Sequence, residues 1–478
     1  MLEKRTQQGL LERVLLGTRS ARSRGKGRSV RFLRMVRRDV VDRAGGSDMD
    51  RGACLGGQFA RSTGRWRTIR LVRGLVVTAG AILATPVLNP ERGGALGQQP
   101  EATGGQLGKA LPEVNPDGWT SSAVCGECHQ AIHAVWRQSL HANSWSNGIF
   151  QAAFRRSTET YGEERSRLCL SCHAPTVRHG GDYAVKESIT KEGITCDFCH
   201  SIHAAELADP ADPVRFAIGR TKYGPLRHAQ SPAHQIVHSD LFKRSEFCAT
   251  CHEYKNTYGV AVLGTFSEWK SSSYAERGKQ CQDCHMPLVP GRTVALDVKT
   301  EMPGVVNLHN ISGSHDIERV RKAVTLEVVG YEWMSDKVWV FLKVANEGSG
   351  HCFPTGLPMH RAVLEVKLLK AGEVIGQREI PFEIVMMDES GRTLRREHEV
   401  FISAAKVRSD TRLKPNEVRS IEVPFRDIKA SRLVVTASLY YEYSTEALVT
   451  EEKGERIEPV EMKFLVALRE HSMKPLGQ

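Results

Sequence analysis

The chain has 478 residues, long enough for two or three domains, and its 40% hydrophobic and 25% charged residues are ordinary for a globular protein. Its formal net charge of +11 is concentrated at the front, where residues 1–74 hold 19 Lys/Arg against 6 Asp/Glu and leave 47 against 49 for the rest. The remainder has no basic surplus with which to grip a polyanion, which argues against a nucleic-acid partner.

In chain order, residues 1–70 form a basic extension. Its first 48 residues exceed what a leader needs, and translation from Met49 would put a conventional leader at the start. Residues 71–97 read as a secretory signal segment. Arg61, Arg65, Arg67, Arg70 and Arg73 precede the uncharged run Leu75–Leu88, and the small residues Gly93, Gly94, Ala95 and Gly97 follow. The run is shorter than the roughly 20 residues of a membrane-spanning helix, so cleavage is favoured over anchoring. Membrane contact is then expected only by association or through an uncleaved signal, and the location is the periplasmic or extracellular face of a bacterium. Cys54 lies upstream of the apolar run, where a lipid anchor is not expected. Residues 98–118, rich in Gly, Gln, Pro and Glu without periodicity, read as a linker.

Residues 119–317 are irregular, poor in long apolar periodic segments and rich in Cys and His. Ten of the chain's twelve cysteines form five copies of Cys-x-x-Cys-His: Cys125/Cys128/His129, Cys169/Cys172/His173, Cys196/Cys199/His200, Cys248/Cys251/His252 and Cys281/Cys284/His285. Two thiols three residues apart lie on one face of a helical turn. There they can add to the two vinyl groups of one haem, while the next residue presents its imidazole to the iron. Structural zinc also uses Cys-x-x-Cys pairs but has no reason to place His after every one. A disulfide between residues three apart would close a tiny loop and staple little. Five covalently bound haem c groups are the expected cofactors, with His129, His173, His200, His252 and His285 as proximal ligands. Flat apolar macrocycles would also supply the core that the aliphatic residues do not.

Each iron needs a second axial ligand or an open position. Thirteen of the 18 histidines lie outside the motifs, enough for two imidazoles on every iron. The distal candidates are His141, His234, His309, His315 and His351. His141 follows the first motif, His234 precedes the fourth, and His309 and His315 follow the fifth. His351 stands in the rigid turn Gly350-His351-Cys352-Phe353-Pro354-Thr355-Gly356, from which it could be aimed across a domain boundary. Cys352, which with Cys54 completes the twelve, reads as a small buried residue.

Residues 318–470 change character. Val338, Val340, Leu342 and Val344 alternate with Trp339, Phe341 and Lys343. Leu364, Val366 and Leu368 interleave with Glu365 and Lys367 before an Ala371-Gly372 turn. Leu433, Val435, Ala437, Leu439 and Tyr441 share a face, as do Met462, Phe464, Val466 and Leu468, and Lys414-Pro415-Asn416 marks a turn. Seven or eight short strands without helices predict an immunoglobulin-like sandwich. The fold class is therefore α+β in two modules: a mainly helical, irregular pentahaem cytochrome c domain and an all-β immunoglobulin-like sandwich with no catalytic constellation of its own.

The repeated motifs, Trp136-x-x-Ser139-x-His141-Ala142, the ending Cys281-x-x-Cys284-His285-Met286-Pro287 and the Gly350–Gly356 turn together resemble the cytochrome c-554-like multihaem cytochromes over about residues 120–360. The resemblance implies a bacterial electron carrier with closely stacked pairs of low-spin bis-His haems, and it makes His141 and His351 attractive distal ligands. The tetrahaem carrier of that group has one haem fewer and no such β module. Pentahaem ammonia-forming nitrite reductase attaches its catalytic haem through a motif ending in Lys, whereas all five motifs here end in His. Hydroxylamine-oxidising relatives carry more haems and a cross-linking Tyr. The leading expectation is electron transfer by stepwise tunnelling to redox partner proteins, with membership of a cytochrome assembly as a further possibility. The alternative is an oxidoreductase acting on a small nitrogen or sulfur compound at one haem with an open coordination position.

Overall fold

The computed structural model describes residues 111–295, 304–429, 432–442 and 463–473, so the basic extension, the signal segment and most of the linker lie outside the described residues. No described helix is long and apolar enough to cross a membrane. The described residues belong to one compact unit with the two modules the sequence predicts.

The first module is made of short pieces. Helices α1 (Gly148–Tyr161) and α2 (Glu163–His173) pack antiparallel, joined at Gly162, whose φ of 84° suits a residue without a Cβ. Asn147 caps α1 by accepting from the backbone N–H groups of Ile149 (3.0 Å) and Phe150 (3.1 Å). The buried hydroxyls of Ser157 and Ser166 meet at 2.8 Å and bring the middle of α1 level with the middle of α2. The other helices that carry cysteine motifs, Ser122–Gly126, Cys196–Ser201, Glu246–His252 and Cys281–His285, have five to seven residues. Helices so short have no stability of their own. Their buried apolar support is thin: Leu170, Ala174, Val177 and Val185 in one cluster, Phe198, Ile202 and Val214 in another.

The second module is entered through the helix Ile317–Ala323, capped by Asp316, which straddles the boundary expected at residue 318. Its main strands are β1 (Val324–Met334), β2 (Lys337–Asn346), β3 (Arg361–Lys370), β4 (Glu373–Phe382), β5 (Val418–Phe425), β6 (Leu433–Glu442) and β7 (Lys463–Met473). They form two antiparallel sheets of order β5-β2-β1 and β4-β3-β6-β7. The alternation in the sequence becomes one shared core. Val338, Val340, Leu342 and Val344 of β2 pack with Leu364, Val366 and Leu368 of β3 and with Val435, Ala437 and Leu439 of β6. Ala371 (φ 50°) and Gly372 (φ 89°) make the β3–β4 turn, and Asn416 (φ 61°) lies in the Lys414–Asn416 turn.

Two details differ from the sequence reading. The face expected to end on Leu468 is not the core face there. Leu468 is exposed while Ala467 packs inward, and the register shifts between Leu439 and Tyr440 of the partner strand. A bulge moves the inward set by one residue. Met462 lies outside the described residues. The module also contains a helix, α3 (Glu397–Ser403), inserted between the paired strands Ile384–Met387 and Lys406–Asp410 and packed against α1.

Candidate haem centres

Each motif is set by local capping. Ser121 caps the first segment, and the Thr195 side chain accepts from Phe198 N–H (2.9 Å) at the head of Cys196–Ser201. Gln280 and Asp283 form a reciprocal capping box around Cys281–His285. In four motifs both cysteines stand on one helix, as the spacing predicts.

Cys128 of the first motif corrects that expectation. The helix Ser122–Gly126 holds Cys125 but ends two residues before Cys128, and the next begins at Gln130. Cys128 sits in the turn between them, where its N–H donates to the Cys125 carbonyl at 3.3 Å. Its own carbonyl accepts from the N–H of Ala295, far along the chain, at 2.8 Å. That bond satisfies a carbonyl left without a helical partner between the two helices. The turn still keeps Cys128 beside Cys125, so the pair remains suited to one haem.

None of the eleven described cysteines is in a disulfide, and thiols of different motifs touch: Cys125 with Cys196, Cys172 with Cys251, Cys248 with Cys281. Burial pushes the Cys169 thiol up to about 11 and Cys199 to about 12. Among the described residues, no three His, Cys, Asp or Glu side chains converge to hold an ion by themselves.

The histidines are more telling. Four motif imidazoles each face one imidazole from elsewhere in the chain. His129 faces His234 at 6.4 Å between ring centroids, and His200 faces His309 at 6.1 Å. His252 faces His141 at 6.2 Å, and His285 faces His351 at 6.3 Å. A metal bonded to both nitrogens at about 2 Å, with roughly 1 Å from each nitrogen to its ring centre, requires about 6 Å. Direct imidazole stacking would be closer and a hydrogen bond would need no such common spacing.

Hydrogen bonding selects the nitrogen. Nδ1 of His129 lies 2.7 Å from the Thr293 carbonyl, that of His200 2.7 Å from Tyr223, and that of His285 2.8 Å from Ser312. The segment that ends at Ala295 therefore holds both Cys128 and His129. On the opposing side, Nδ1 of His234 faces the Gln235 carbonyl at 3.1 Å, that of His309 faces Asn307 at 2.8 Å, and that of His351 faces Cys352 at 3.0 Å. A carbonyl can only accept, so each of these Nδ1 atoms donates and Nε2 is left as the nitrogen that could ligate a metal in the space between the rings. Burial pushes His141 down to about 3 and His200 and His285 down to about 4, which favours their neutral forms. The residues present fit haem with two imidazole ligands at these four places.

The remaining motif imidazole, that of the second motif, is different. His173 also donates from Nδ1 to a carbonyl, that of Ser144 at 3.1 Å, but its ring lies flat on Phe150 of α1, 3.8 Å between centroids and 10° from parallel. Phe150 covers the flank of the imidazole and has no ligating atom. His315, expected among the distal candidates, is not brought opposite any motif histidine. It lies near His360, on the segment whose Ser314 hydroxyl bonds the Tyr441 phenol.

The β module reaches the site twice. His351 is held by Glu268 of the first module, whose carboxylate accepts from Cys352 N–H (3.1 Å) and the Thr355 hydroxyl (2.6 Å) and pairs with Arg412 at 2.7 Å. Cys352 is buried, as expected. The second approach escaped the sequence reading. Helix α3 brings Glu397 and His398, both buried, to α1. A seven-residue helix spans barely two turns and leaves little periodicity of its own.

Residues 124–201 match the family model described as cytochrome c554 and c-prime. The fold is similar to that of the penta-haem cytochrome c552 from Thermochromatium tepidum, with a TM-score of 0.59 at 22% identity over 74% of this chain and 99% of that one. The β-glucosidase from Kluyveromyces marxianus (TM-score 0.16, 11% identity, 32% of this chain and 14% of that one) and β-glucosidase 3B from Thermotoga neapolitana (0.12, 12%, 32% and 17%) share too little for any inference. No curated protein sequence matches the chain. Repeated thiol-pair motifs, imidazoles aimed at one another and this fold are those of a c-type cytochrome with covalently bound haem. More particularly, the chain has the fold of a multihaem c-type cytochrome, with residues 124–201 similar to cytochrome c554 and c-prime and with a β-rich C-terminal module.

Proposed function

We propose that this chain carries five haem c groups and works as an exported electron carrier, with four irons held between two imidazoles. The observation that carries the reading is the set of four ring pairs at one common spacing, 6.1–6.4 Å. Bound haem would supply one-electron redox chemistry and a large apolar surface. The chain's residues do the rest. The ten motif cysteines anchor, Cys128 from its turn and the others from helices, and His129, His173, His200, His252 and His285 ligate from the proximal side. His234, His309, His141 and His351 complete the first, third, fourth and fifth sites respectively.

The thiol contacts suggest the order of the relay. Cys125 against Cys196 puts the first site beside the third, and Cys199 lies near Cys251 and Cys248 of the fourth. Cys172 against Cys251 and Cys248 against Cys281 put the second and fifth sites on either flank of the fourth. The fourth site becomes the branch point. Export rests on the basic and apolar pattern of residues 61–97. The β module offers a surface for a redox partner or for assembly with other cytochromes.

One observation favours a second activity at one place. His173 has Phe150 at its flank and no histidine opposite it among the described residues. This supports an open coordination position at the second site, where a small nitrogen or sulfur compound could bind and react. A redox titration followed by electron paramagnetic resonance on the mature protein tests both readings. Four low-spin centres and one high-spin centre are expected. Five low-spin centres would remove the open position, and a denatured polypeptide without Soret absorption would end the carrier reading as well.

A further inference from the structure

A buried ion pair lies where the first and third sites meet. Asp197 stands between Cys196 and Cys199 of the third motif, and its side chain is wholly buried. It pairs with the ammonium of Lys222, whose side chain is 11% exposed. The carboxylate oxygen facing Lys222 also accepts from the Ser201 hydroxyl at 3.3 Å. The other accepts at 2.6 Å from the N–H of Thr120, next to the Ser121 cap of the helix that carries Cys125. Lys222 donates further to the Gly219 carbonyl at 2.6 Å.

The strands around Lys222 hold two of the imidazoles. Lys222 lies on Thr221–Gly224, which pairs in parallel with Gln235–His238. Its neighbour Tyr223 supplies the carbonyl that Nδ1 of His200 meets, and Gln235 on the facing strand supplies the one that Nδ1 of His234 meets. The ion pair is thus tied to the proximal imidazole of the third site, to the imidazole opposite His129 in the first, and to the segment leading into Cys125. Both charges are felt at the Cys125 thiol and at the His234 ring, the carboxylate more strongly at the thiol and the ammonium more strongly at the ring. A buried ion pair adds little net stability, because desolvation of two charges offsets most of their attraction. Beside an iron that gains and loses one positive charge it has another effect. A carboxylate favours the oxidised metal and an ammonium the reduced one, and a low dielectric enlarges both influences.

We infer that the Asp197–Lys222 pair tunes the reduction potential of the first haem, with Lys222 masking a carboxylate that by itself favours the oxidised iron. The inference rests on the position of the first site proposed above. Neither residue ligates the metal; each places a fixed charge beside it. Through that charge the pair sets how readily the first haem passes an electron to the third, its neighbour across Cys125 and Cys196.

The test is a redox titration of the holoprotein followed by nuclear magnetic resonance of the haem methyl groups, the first haem being the one whose signals change in His234→Leu. In Lys222→Met its midpoint should fall, by about tenfold in the reduced-to-oxidised ratio at a fixed potential, or about 59 mV for one electron. Lys222→Met with Asp197→Asn removes both charges and should bring the midpoint back near wild type, as should Lys222→Arg, which keeps the charge. A midpoint unmoved in Lys222→Met, or displaced as far in the double variant as in the single one, overturns the tuning role and leaves the haem site standing. If Lys222→Met loses haem mass, Asp197→Asn decides instead: a raised midpoint is expected, and an unchanged one overturns the inference. A wild-type chain without haem on Cys125 and Cys128, or unaltered signals in His234→Leu, overturns the reading of the first site, and the tuning role with it.

Discussion

The two modules solve the problem of burying a chain in opposite ways. The β module carries its own interior. Val338, Val340, Leu342, Leu364, Val366, Leu368, Val435 and Leu439 are at most 1% exposed and pack against one another. Among the described residues the first module has two small apolar clusters of its own and motif helices mostly of five to seven residues, and four of its motif histidines face another imidazole at a ligand's spacing. One module is a core made by the sequence; the other is a shell cut to fit groups that the sequence does not contain. The two therefore differ in what should break them.

The sharpest break is at the proposed branch point. Replacing Cys248 and Cys251 with Ala should remove one haem and destabilise the thin shell around it. The expected outcome is loss of one haem mass on the denatured chain together with protease sensitivity confined to residues 119–317. A variant with full spectra and unchanged mass would contradict covalent attachment there. Next in size, His351→Leu should turn the site of His285 from low spin to high spin and leave the other centres as they were. Electron paramagnetic resonance reads this directly, and an unaltered spectrum would remove the β module as a ligand donor.

In the β module the expected losses are those of an ordinary core. Leu364→Ala should cost about 2–5 kcal/mol, read as a lower denaturation midpoint of the β module with every haem spectrum preserved. Loss of haem signals in step with it would mean the two modules unfold as one.

Glu397 joins the two regions and gives a pH signature. Its folded pKa is about 7 against an ordinary 4.5, so the folded state holds the proton more tightly than the unfolded one. The penalty is absent below pH 4.5, grows as pH rises through the window and is complete above 7. Glu397→Gln should match wild type at about pH 4 and exceed it by roughly 3 kcal/mol at about pH 8. Denaturant titrations at the two pH values check this, and equal gaps at both would contradict the shift. The smallest effect belongs to a cap. Thr195→Ala removes the acceptor for Phe198 N–H and should cost about 1 kcal/mol, visible in hydrogen exchange of Cys196–Ser201.

Much of this molecule was legible in one dimension. A thiol pair and its histidine occupy five consecutive residues, and a strand declares its inward face every second residue, so both can be read from local spacing alone. The β2, β3 and β6 faces pack where their alternation places them, and the five Cys-x-x-Cys-His segments needed no fold to be seen. Local spacing failed where the backbone slipped by one residue, as at Leu468 and Ala467, and where a helix is too short to show a period, as at Glu397–Ser403. It also failed at Cys128, which lies in a turn between two helices and is held by a hydrogen bond from Ala295 that no local pattern announces.

What the sequence determined by itself is the chemistry of attachment and the identity of the two modules, because each depends on neighbours along the chain. Only the tertiary structure decided which imidazole faces which. His141 meets His252 and His234 meets His129, each across more than a hundred residues of chain, while His315, as well placed in sequence, meets neither. An axial pair is a relation between two distant backbones held about 6 Å apart by everything packed behind them. No spacing along one strand of sequence encodes that distance.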